Sequence, residues 1–569
     1  MHEKNGKGAI IMKKLLAMIL AAILALGCLG AATAEETLKV WVPDNLRVEW
    51  DNNDMTTWLE EQLGAKLVIE AFPEDGYLTQ LNNTLTLNNN LNDWPDVIMT
   101  KNFNLDDYVT EWGAAEAIIP LEEYYANPEL TENLQKAFER CGSEYYKQLT
   151  SPDGHVYMIG TMNQSFTNEN PDKFYFFSRW LKELNLEVPT TTDEFYEVLK
   201  AIKGKDLNGN GKDDEVGLAG TFGRNKSYSN WFNGLMNAFV YAGDPNFRVV
   251  TDGVVSMAYT TEEWREGLRY IRKLFEEGLI ASETLTMDNA TYESITGLDE
   301  QVEAFQIWFT PLSIAEADIE EYIGMAPLKG PQGVQYVTYR ASSPAGRMCI
   351  TAACKNPELA FKLGDLMSSE KVGISQRFGQ EGVDWDYYEN IQPELIVAEK
   401  KKTAEKKGED PNAITDFDVS ILVPAVEGLP ISIYTYHDGD YWGGSGVQHA
   451  SWMQAGPFVR HYGIVSGWAQ EPGDKGQGAI VNANALLYQT GGFKPEETIP
   501  KTVLTDEEND MISEIASTLN TFVEEQTALF LSGAKSLDND WDAFQNELKA
   551  IGVEQYVQVM QNMYDRMYK

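Results

Sequence analysis

The chain has 569 residues, of which 43% are hydrophobic and 11% aromatic. This composition excludes a disordered chain, and the length predicts at least two lobes with separate cores. The net charge is −42, and it becomes −45 without residues 1–34, which hold four lysines and one glutamate. A surface of this charge repels phosphate backbones, so we expect no nucleic-acid partner.

Residues 1–34 have the pattern of a targeting segment. Two lysines precede an apolar run over residues 15–27, which is too short to span a bilayer but suits a signal peptide. Residues 32–34 (ATA) fit a cleavage site, which gives a signal peptide of 34 residues and a secreted protein. Residues 25–28 (ALGC) instead resemble a bacterial lipobox, although the preferred leucine three residues before the cysteine is missing. In that case residues 1–27 are removed and Cys28 carries the lipid anchor of a cell-surface lipoprotein.

The first predicted elements alternate between strand and helix. Strands are predicted over residues 38–42, 66–72 and 95–99, with helices over 56–63 and 77–91 between them. This alternation predicts a mostly parallel sheet covered by helices, which is an α/β fold. Ligands of such sheets bind beyond the carboxyl ends of the strands. The candidate ligand-binding residues at these ends are Trp41, Asn45, Thr100 and Asn102.

Further elements follow along the chain. We predict strands over residues 173–177, 304–308 and 349–353, and helices over 231–242, 261–277 and 357–367. In the segment between the strand over residues 173–177 and the helix over 231–242, Thr191 and Glu194 have the spacing of a capping box. They predict a helix that begins at residue 192 and places Phe195 and Val198 on its buried side.

Residues 206–215 (DLNGNGKDDE) have the spacing of a cation-binding loop. Side-chain oxygens recur at alternate positions, and a glycine occupies the sixth position, where calcium loops turn sharply. The predicted ligands of a structural Ca²⁺ are Asp206, Asn208, Asn210, Lys212 through its carbonyl, Asp214 and Glu215. The twelfth position is Gly217 and not the bidentate glutamate of an EF-hand, so Asp214 and Glu215 have to complete the coordination. The alternative interpretation is a solvated turn, because Asn, Asp and Gly are also typical turn residues.

Several longer motifs share one order along the chain. They are DGHVY (153–157), PTTTDEF (189–195), DLNGNGKDDE (206–215), APLKGP (326–331), KNPELAFKLGDLM (355–367), GQEGVDW (379–385) and SGAKSLDNDWDAFQNELKAIG (532–552). In this order the chain resembles bacterial extracellular solute-binding proteins of the maltose-binding type. It is most similar to their long lipoprotein branch, which includes the calcium-containing alginate-binding proteins.

The resemblance implies a two-lobed, periplasmic-binding-protein-like α/β fold with chain crossings between the lobes and a helical C-terminal end. We expect the N-lobe to comprise residues 35–165 with 345–430, and the C-lobe residues 166–344 with 431–569. Crossings are expected near residues 161–172, 338–348 and 425–440. The resemblance also places the calcium loop in the C-lobe and implies an extracytoplasmic, monomeric protein that serves the permease subunits of an ABC importer.

The expected ligand is an oligosaccharide held between the lobes. Sugar rings pack their C–H faces on aromatic rings, and the chain holds 14 tryptophans. Trp308 and Trp442 are the strongest aromatic candidates because both precede irregular segments marked by glycine or proline. Residues 437–462, with Trp442, Trp452 and Arg460, form the expected ligand-facing region. Trp41 and Trp231 are also candidates, although any single tryptophan can be a core residue.

Two other functions stay open from sequence. A secreted glycosidase or lyase is possible because an acidic protein offers many pairs of carboxylates, such as Asp384 and Asp386. However, the sequence holds no GxSxG, HExxH or phosphate-loop motif, and we expect no enzymatic activity. A binding protein for a peptide or another solute, such as a modified sugar phosphate, is the other alternative.

Overall fold

The computed structural model describes residues 36–44, 49–88, 90–101, 108–142, 145, 147–207, 209, 211–213, 215–223, 230–296, 305–307, 321–436, 446–473, 477–499 and 501–569. The targeting segment predicted over residues 1–34, with Cys28, lies outside them. Within these ranges no helix is long and apolar enough to cross a membrane.

Strands and helices alternate through most of the described chain. The strands are β1 (Thr37–Asp44), β2 (Lys66–Pro73), β3 (Val97–Met99), β4 (Met158–Asn163), β5 (Phe174–Phe177), β6 (Arg248–Thr251), β7 (Val254–Met257), β8 (Phe305–Ile307), β9 (Tyr322–Met325), β10 (Ala345–Ile350), β11 (Trp385–Tyr387), β12 (Val423–Pro424), β13 (Ile433–Thr435), β14 (Val459–Arg460) and β15 (Ala469–Gln470). The α-helices are α1 (Asp54–Leu63), α2 (Glu74–Asn82), α3 (Val109–Ala114), α4 (Glu122–Tyr125), α5 (Glu132–Cys141), α6 (Phe166–Glu169), α7 (Ser178–Leu184), α8 (Thr192–Ile202), α9 (Asn230–Met236), α10 (Glu262–Glu276), α11 (Asn289–Thr296), α12 (Pro357–Met367), α13 (Glu370–Phe378), α14 (Pro393–Lys407), α15 (Gly446–Ala455), α16 (Tyr462–Ser466), α17 (Gln477–Thr490), α18 (Asp506–Leu531), α19 (Trp541–Ile551) and α20 (Val553–Tyr568).

The first lobe is built on a six-stranded sheet with the order β14-β4-β10-β3-β1-β2. β1 runs parallel to β2 and to β3, as the alternation of strands and helices predicted. β10 runs antiparallel to β3 and β4, so the sheet is mixed. Leu38, Val40 and Val42 lie on one face of β1 and pack against helices α1 and α12. Trp41 lies on the opposite face and packs with Tyr77 of α2, so both faces of the sheet are covered.

The second lobe has a smaller antiparallel sheet with the order β8-β5-β9. All four residues of its central strand, β5, are buried. Helices α8, α10 and α18 share one hydrophobic core with this strand, through residues that include Phe195, Leu268 and Phe530. Helices α19 and α20 complete the same core through Leu548 and Met560. The expected helical C-terminal end is therefore confirmed.

Two predicted helices are shorter in the structure than in the sequence analysis. The helix predicted over residues 77–91 ends at Asn82 and continues as one π-helical turn, Asn83–Leu87. The helix predicted over residues 231–242 ends at Met236, because the side chain of Asn237 accepts a hydrogen bond of 2.8 Å from the Ala242 amide. Such side-chain bonds compete with the helical ladder.

The lobe boundaries near the C-terminal half need one correction. β14 pairs with β4 in the first sheet, and Trp452 and Val459 belong to the first lobe's cores. β11 pairs with β13 and β12 with β15, beside a small cluster that includes Ile374 and Ile464. The chain therefore returns to the second lobe after Gln470 and not at residue 431. The third crossing predicted near residues 425–440 is wrong for the same reason.

Two other crossings lead from one core to the other. The first connects β4 to β5 through residues 164–173, and the second leads from Val337, in the second core, to β10. The amide of Arg340 in the second crossing donates a hydrogen bond of 2.7 Å to the Glu169 carbonyl in the first. The two crossings therefore run side by side.

Candidate functional site

The predicted calcium loop follows helix α8 in the second lobe. The capping box is present: the side chain of Thr191 accepts from the Glu194 amide, and the Glu194 carboxylate accepts from the Thr191 amide. This cap determines where α8 begins, and Phe195, Leu199 and Ile202 then anchor the helix in the second core. The position of the loop is therefore set by a well-packed helix.

The described part of the loop has the geometry of a closed turn. Oδ2 of Asp206 accepts a hydrogen bond of 3.0 Å from the Gly211 amide, and Oε1 of Glu215 accepts one of 2.9 Å from the Leu207 amide. Gly211 has a φ of +82°, which a side chain rarely adopts. Both the first and the last predicted ligand therefore accept hydrogen bonds from backbone amides of the loop.

The donor set of this loop fits a hard cation. Among the described residues, Oδ1 of Asp206 is buried and has no hydrogen-bond partner. Glu215 is only 1% exposed, and a carboxylate buried this deeply is costly unless a cation or donors offset its charge. Lys212 is exposed and would contribute only its backbone carbonyl. Asn208, Asn210 and Asp214 lie outside the described residues, so this part of the ligand set stays a prediction.

The loop connects three parts of the second lobe. The Gly204 amide at the end of α8 donates to the Glu215 carbonyl, and Leu218 forms an isolated bridge with Ile280. A Cβ atom at Gly217 would lie 2.3 Å from the Leu199 side chain, so glycine is required for this close approach. An ion in the loop would therefore hold α8 against the segment that leads back into the core.

Three of the predicted ligand-binding tryptophans have the surroundings of core residues. Trp41 is 3% exposed and its indole N–H donates to Glu70, Trp231 is 1% exposed and donates to the Thr221 carbonyl, and Trp452 is fully buried and donates to Thr56. Each ring nitrogen therefore has a partner within its own lobe. We leave these three residues out of the proposed ligand surface.

Some of the remaining predicted ligand-binding residues lie among the described residues, and the others lie outside them. Thr100 is fully buried, and its amide donates to the Arg347 carbonyl at 3.0 Å. Arg460 is 4% exposed, and its guanidinium carbon lies 4.2 Å from the centroid of the Phe458 ring. Asn45, Asn102, Trp308 and Trp442 lie outside the described residues, so their roles stay predictions.

The structure shows a polar cluster at the crossings that the sequence analysis missed. Glu169 is 2% exposed and accepts hydrogen bonds from Tyr462, from Ser342 at 2.9 Å and from Gln489 at 3.0 Å. These three neighbours come from distant parts of the chain, so no local spacing indicates the cluster. The only signal in the sequence was the position of Glu169 inside the predicted first crossing.

Buried acceptors also accumulate along the first crossing. Within the described part of the chain, Oδ1 of Asn163, Oε1 of Gln164 and Oδ1 of Asn170 are buried without a hydrogen-bond partner. Burial raises the pKa of the Asp172 carboxyl, and Thr338, Arg340 and Lys173 nearby oppose this effect. The first crossing is therefore a strip of hydrogen-bonding groups between the lobes.

A cavity of about 250 Å³ lies beside the second crossing. Its walls include Tyr241, Arg248 and Tyr339. Its buried charges are already paired, because Arg248 donates to both oxygens of Asp244 at 2.9–3.1 Å. The volume is below the roughly 300–1,000 Å³ typical of small-molecule sites, so we do not take this cavity as the ligand cleft.

Residues 37–374 match the family described as bacterial extracellular solute-binding protein. The chain belongs to this family. Two curated proteins have sequences similar to this chain. The fructooligosaccharide ABC transporter substrate-binding protein FusA of Streptococcus pneumoniae serotype 4 is 26% identical over 491 residues, which cover 83% of this chain and 80% of FusA. Lipoprotein LipO of Bacillus subtilis is 25% identical and covers 72% of this chain and 80% of LipO.

Solved structures share the two-lobed fold of this solute-binding protein. A solute-binding protein from Bifidobacterium longum infantis, described as binding HMO and associated with an ABC transporter, has a TM-score of 0.68 at 19% identity and covers 94% of this chain and 99% of its own. A FusA EF-hand mutant has a TM-score of 0.64 at 22% identity over 93% and 99% of the two chains. The alginate-binding protein AlgQ2, solved without calcium ion, has a TM-score of 0.57 at 21% identity over 94% and 99%.

Proposed function

We propose that this solute-binding protein captures an oligosaccharide between its lobes outside the cytoplasm and delivers it to the permease subunits of an ABC importer. The observation that carries the proposal is the match to FusA, a fructooligosaccharide-binding protein, over 83% of this chain. The relatives are binding proteins, which supports a function in capture and not in catalysis. Rotation of the lobes about the crossings would enclose the sugar and present one closed form to the permease.

Buried acceptors on the first crossing support a hydroxyl-rich ligand. The oxygens of Asn163, Gln164 and Asn170 have no donors among the described residues, and a buried acceptor without a donor costs about 1–3 kcal/mol. Sugar hydroxyls and ordered water both supply such donors. A peptide ligand offers fewer donors per unit of surface, so these groups favour the sugar.

The proposed ligand surface combines polar and aromatic residues at the cleft. From the sequence we retain Asn45, Asn102, Trp308 and Trp442, and also Arg460 of the expected ligand-facing region. Aromatic rings would pack on the C–H faces of the sugar, and the amides would bind its hydroxyls. A net charge of −42 disfavours a strongly anionic glycan.

We propose that the loop over residues 206–215 holds a structural Ca²⁺. Buried Oδ1 of Asp206 and the buried Glu215 carboxylate supply hard oxygen ligands, and a solved structure of the related FusA is described as an EF-hand mutant. The ion would stabilise the second lobe and would not touch the sugar. For the anchor we propose lipidation at Cys28, since LipO is a lipoprotein and residues 25–28 resemble a lipobox.

A thermal-shift screen with a panel of glycans tests the proposed function. The panel contains kestose, longer fructooligosaccharides, milk oligosaccharides and oligogalacturonides, with a mixture of short peptides as the control. A sugar that binds only the folded protein raises its stability, by about 2.7 kcal/mol at a hundredfold excess over Kd. A rise with peptides alone, or the release of new reducing ends from a bound glycan, would contradict the proposal.

A further inference from the structure

The Glu169 carboxylate lies where the two lobes meet. It is 2% exposed at the end of α6 in the first crossing. Oε1 accepts hydrogen bonds from the hydroxyls of Tyr462 and Ser342, and Oε2 accepts one of 3.0 Å from Nε2 of Gln489. Nζ of Lys494 lies 4.0 Å from Oε2. Both carboxylate oxygens therefore accept at least one hydrogen bond.

These partners belong to different bodies of the protein. Tyr462 follows β14, which pairs with β4 of the first lobe. Gln489 lies on α17, whose Val481 and Tyr488 are part of the second core. Ser342 lies in the second crossing. One carboxylate thus connects the first lobe, the second lobe and two of the crossings.

The Tyr462 side chain is held in place for this contact. Its ring stacks on Phe166 with centroids 4.7 Å apart. Burial and the Glu169 carboxylate raise the pKa of Tyr462, so its hydroxyl stays protonated and donates. Burial and the same carboxylate raise the pKa of Tyr339 to about 12, and the Lys494 ammonium lies 4.4 Å from the centroid of that ring. Three hydrogen-bond donors and the Lys494 ammonium therefore lie around the carboxylate.

Movement of one lobe against the other has to break some of these contacts. A hydrogen bond of about 3 Å is lost when its partners separate by more than about 0.5 Å. Tyr462 and Gln489 move with different lobes, so both cannot follow Glu169 through a rotation. The full set of contacts to Glu169 therefore forms in one arrangement of the lobes. In the other arrangement at least one of these contacts is lost or replaced.

We propose that Glu169 is a positioning residue that stabilises one arrangement of the two lobes and so sets their opening equilibrium. Its effect on sugar affinity rests on the proposed function, whereas its effect on the ligand-free protein does not. A ligand that binds one arrangement shifts the equilibrium toward it, and its apparent affinity follows the population of that arrangement.

Two variants and one control test the proposal. Glu169→Gln replaces an acceptor by an amide N–H₂ that faces other donors, and Tyr462→Phe removes a single hydroxyl while it keeps the stack on Phe166. Glu508→Gln is the matched control, because Glu508 makes two hydrogen bonds to Arg566, of 2.7 and 2.8 Å, entirely within the second lobe. Small-angle X-ray scattering then gives the radius of gyration of each ligand-free protein.

We expect Glu169→Gln and Tyr462→Phe to change the radius of gyration in the same direction, and Glu508→Gln to leave it unchanged. With the panel glycan that raises the melting temperature, Kd should change by about tenfold, the equivalent of one charge-assisted hydrogen bond. Equal radii in all four proteins, with melting temperatures lowered alike, would overturn the proposal. If no glycan binds, the proposed function fails, but the radii still decide the role of Glu169.

Discussion

The backbone amide of Leu207 donates a hydrogen bond of 2.9 Å to Oε1 of Glu215 and closes the predicted calcium loop on itself. Leu207 belongs to the second core, and Glu215 is 1% exposed, so both ends of this bond are buried. The partners are eight residues apart, and the described residues between them form no helix or strand. The bond therefore fixes the Glu215 carboxylate next to the start of the loop.

Calcium should raise the stability of the protein. We expect the melting temperature in millimolar calcium to exceed that in chelator, because an ion that binds only the folded state adds about 2.7 kcal/mol at a hundredfold excess over Kd. Differential scanning calorimetry in the two buffers, with elemental analysis of the purified protein, measures this effect. Identical melting curves with no bound ion would rule out the site.

The variant Glu215→Gln should remove most of this calcium effect. An amide keeps the hydrogen bond from Leu207 through its oxygen but carries no charge for a hard cation. We expect its melting temperature in calcium to fall to the chelator value of the wild-type protein. The control variant is Glu508→Gln, in which the replaced carboxylate pairs with Arg566. We expect this variant to keep the full response to calcium.

Trp308→Ala and Trp442→Ala should weaken glycan binding without loss of stability. If these rings contact the sugar, their truncation costs about 2 kcal/mol or more, which is about thirtyfold in Kd. Isothermal titration with a panel glycan and a melting curve for each variant measure both quantities. Variants that melt early while their folded fraction binds normally would identify both residues as core.

Trp452→Ala and Trp231→Ala should lower the stability of the protein without weakening glycan binding by its folded fraction. Both indoles are buried and donate hydrogen bonds to Thr56 and to the Thr221 carbonyl, so we expect a loss of about 3–5 kcal/mol of stability. Chemical denaturation measures this loss directly. Normal stability with a large loss of affinity in either variant would return that tryptophan to the ligand surface.

Protonation of His461 should lower the free energy of unfolding as the pH falls. Its Nδ1 accepts a hydrogen bond from the Gly463 amide, and its Nε2 lies 3.1 Å from Glu370 and 3.2 Å from Nη1 of Arg140. Burial, with the nearby Arg140 charge, lowers the pKa of His461 to about 4. Since the unfolded chain takes up its proton near pH 6.5, the stability contributed by neutral His461 is present above pH 6.5 and is lost between pH 6.5 and 4.

The variant His461→Asn isolates this effect from the titration of the many carboxylates. Asparagine can accept the same capping bond but does not titrate. Because His461 is partly exposed, we expect the wild-type protein to lose only about 1–2 kcal/mol more than the variant between pH 7 and 4.5. Denaturation at both pH values measures the difference, and parallel losses would show that His461 does not contribute.

Local features of the fold were predictable because their causes are local. The capping box of Thr191 and Glu194 needs only residues three positions apart, and it is present as predicted. The alternation of strands and helices predicted the parallel pairing of β1 with β2 and β3. The spacing of residues 206–215 likewise indicated a loop that turns at Gly211.

Features that depend on distant partners were not predictable. β14 has two residues, too few for a periodic pattern, so its pairing with β4 and the late return to the second lobe appear only in the structure. Whether a tryptophan is core or ligand-facing depends on what packs over it, and Trp41, Trp231 and Trp452 proved to be buried.

The sequence by itself determined the family, the two-lobed α/β fold, the helical C-terminal end and the position of the candidate calcium loop. The first three are what the resemblance carried by the ordered motifs implied, whereas the position of the loop follows from the spacing of residues 206–215. Only the tertiary structure decided which tryptophans are buried and where the chain crosses between lobes. It also brought Tyr462, Ser342 and Gln489 to Glu169, because hydrogen bonds between residues as much as 320 positions apart depend on packing and leave no pattern along the chain.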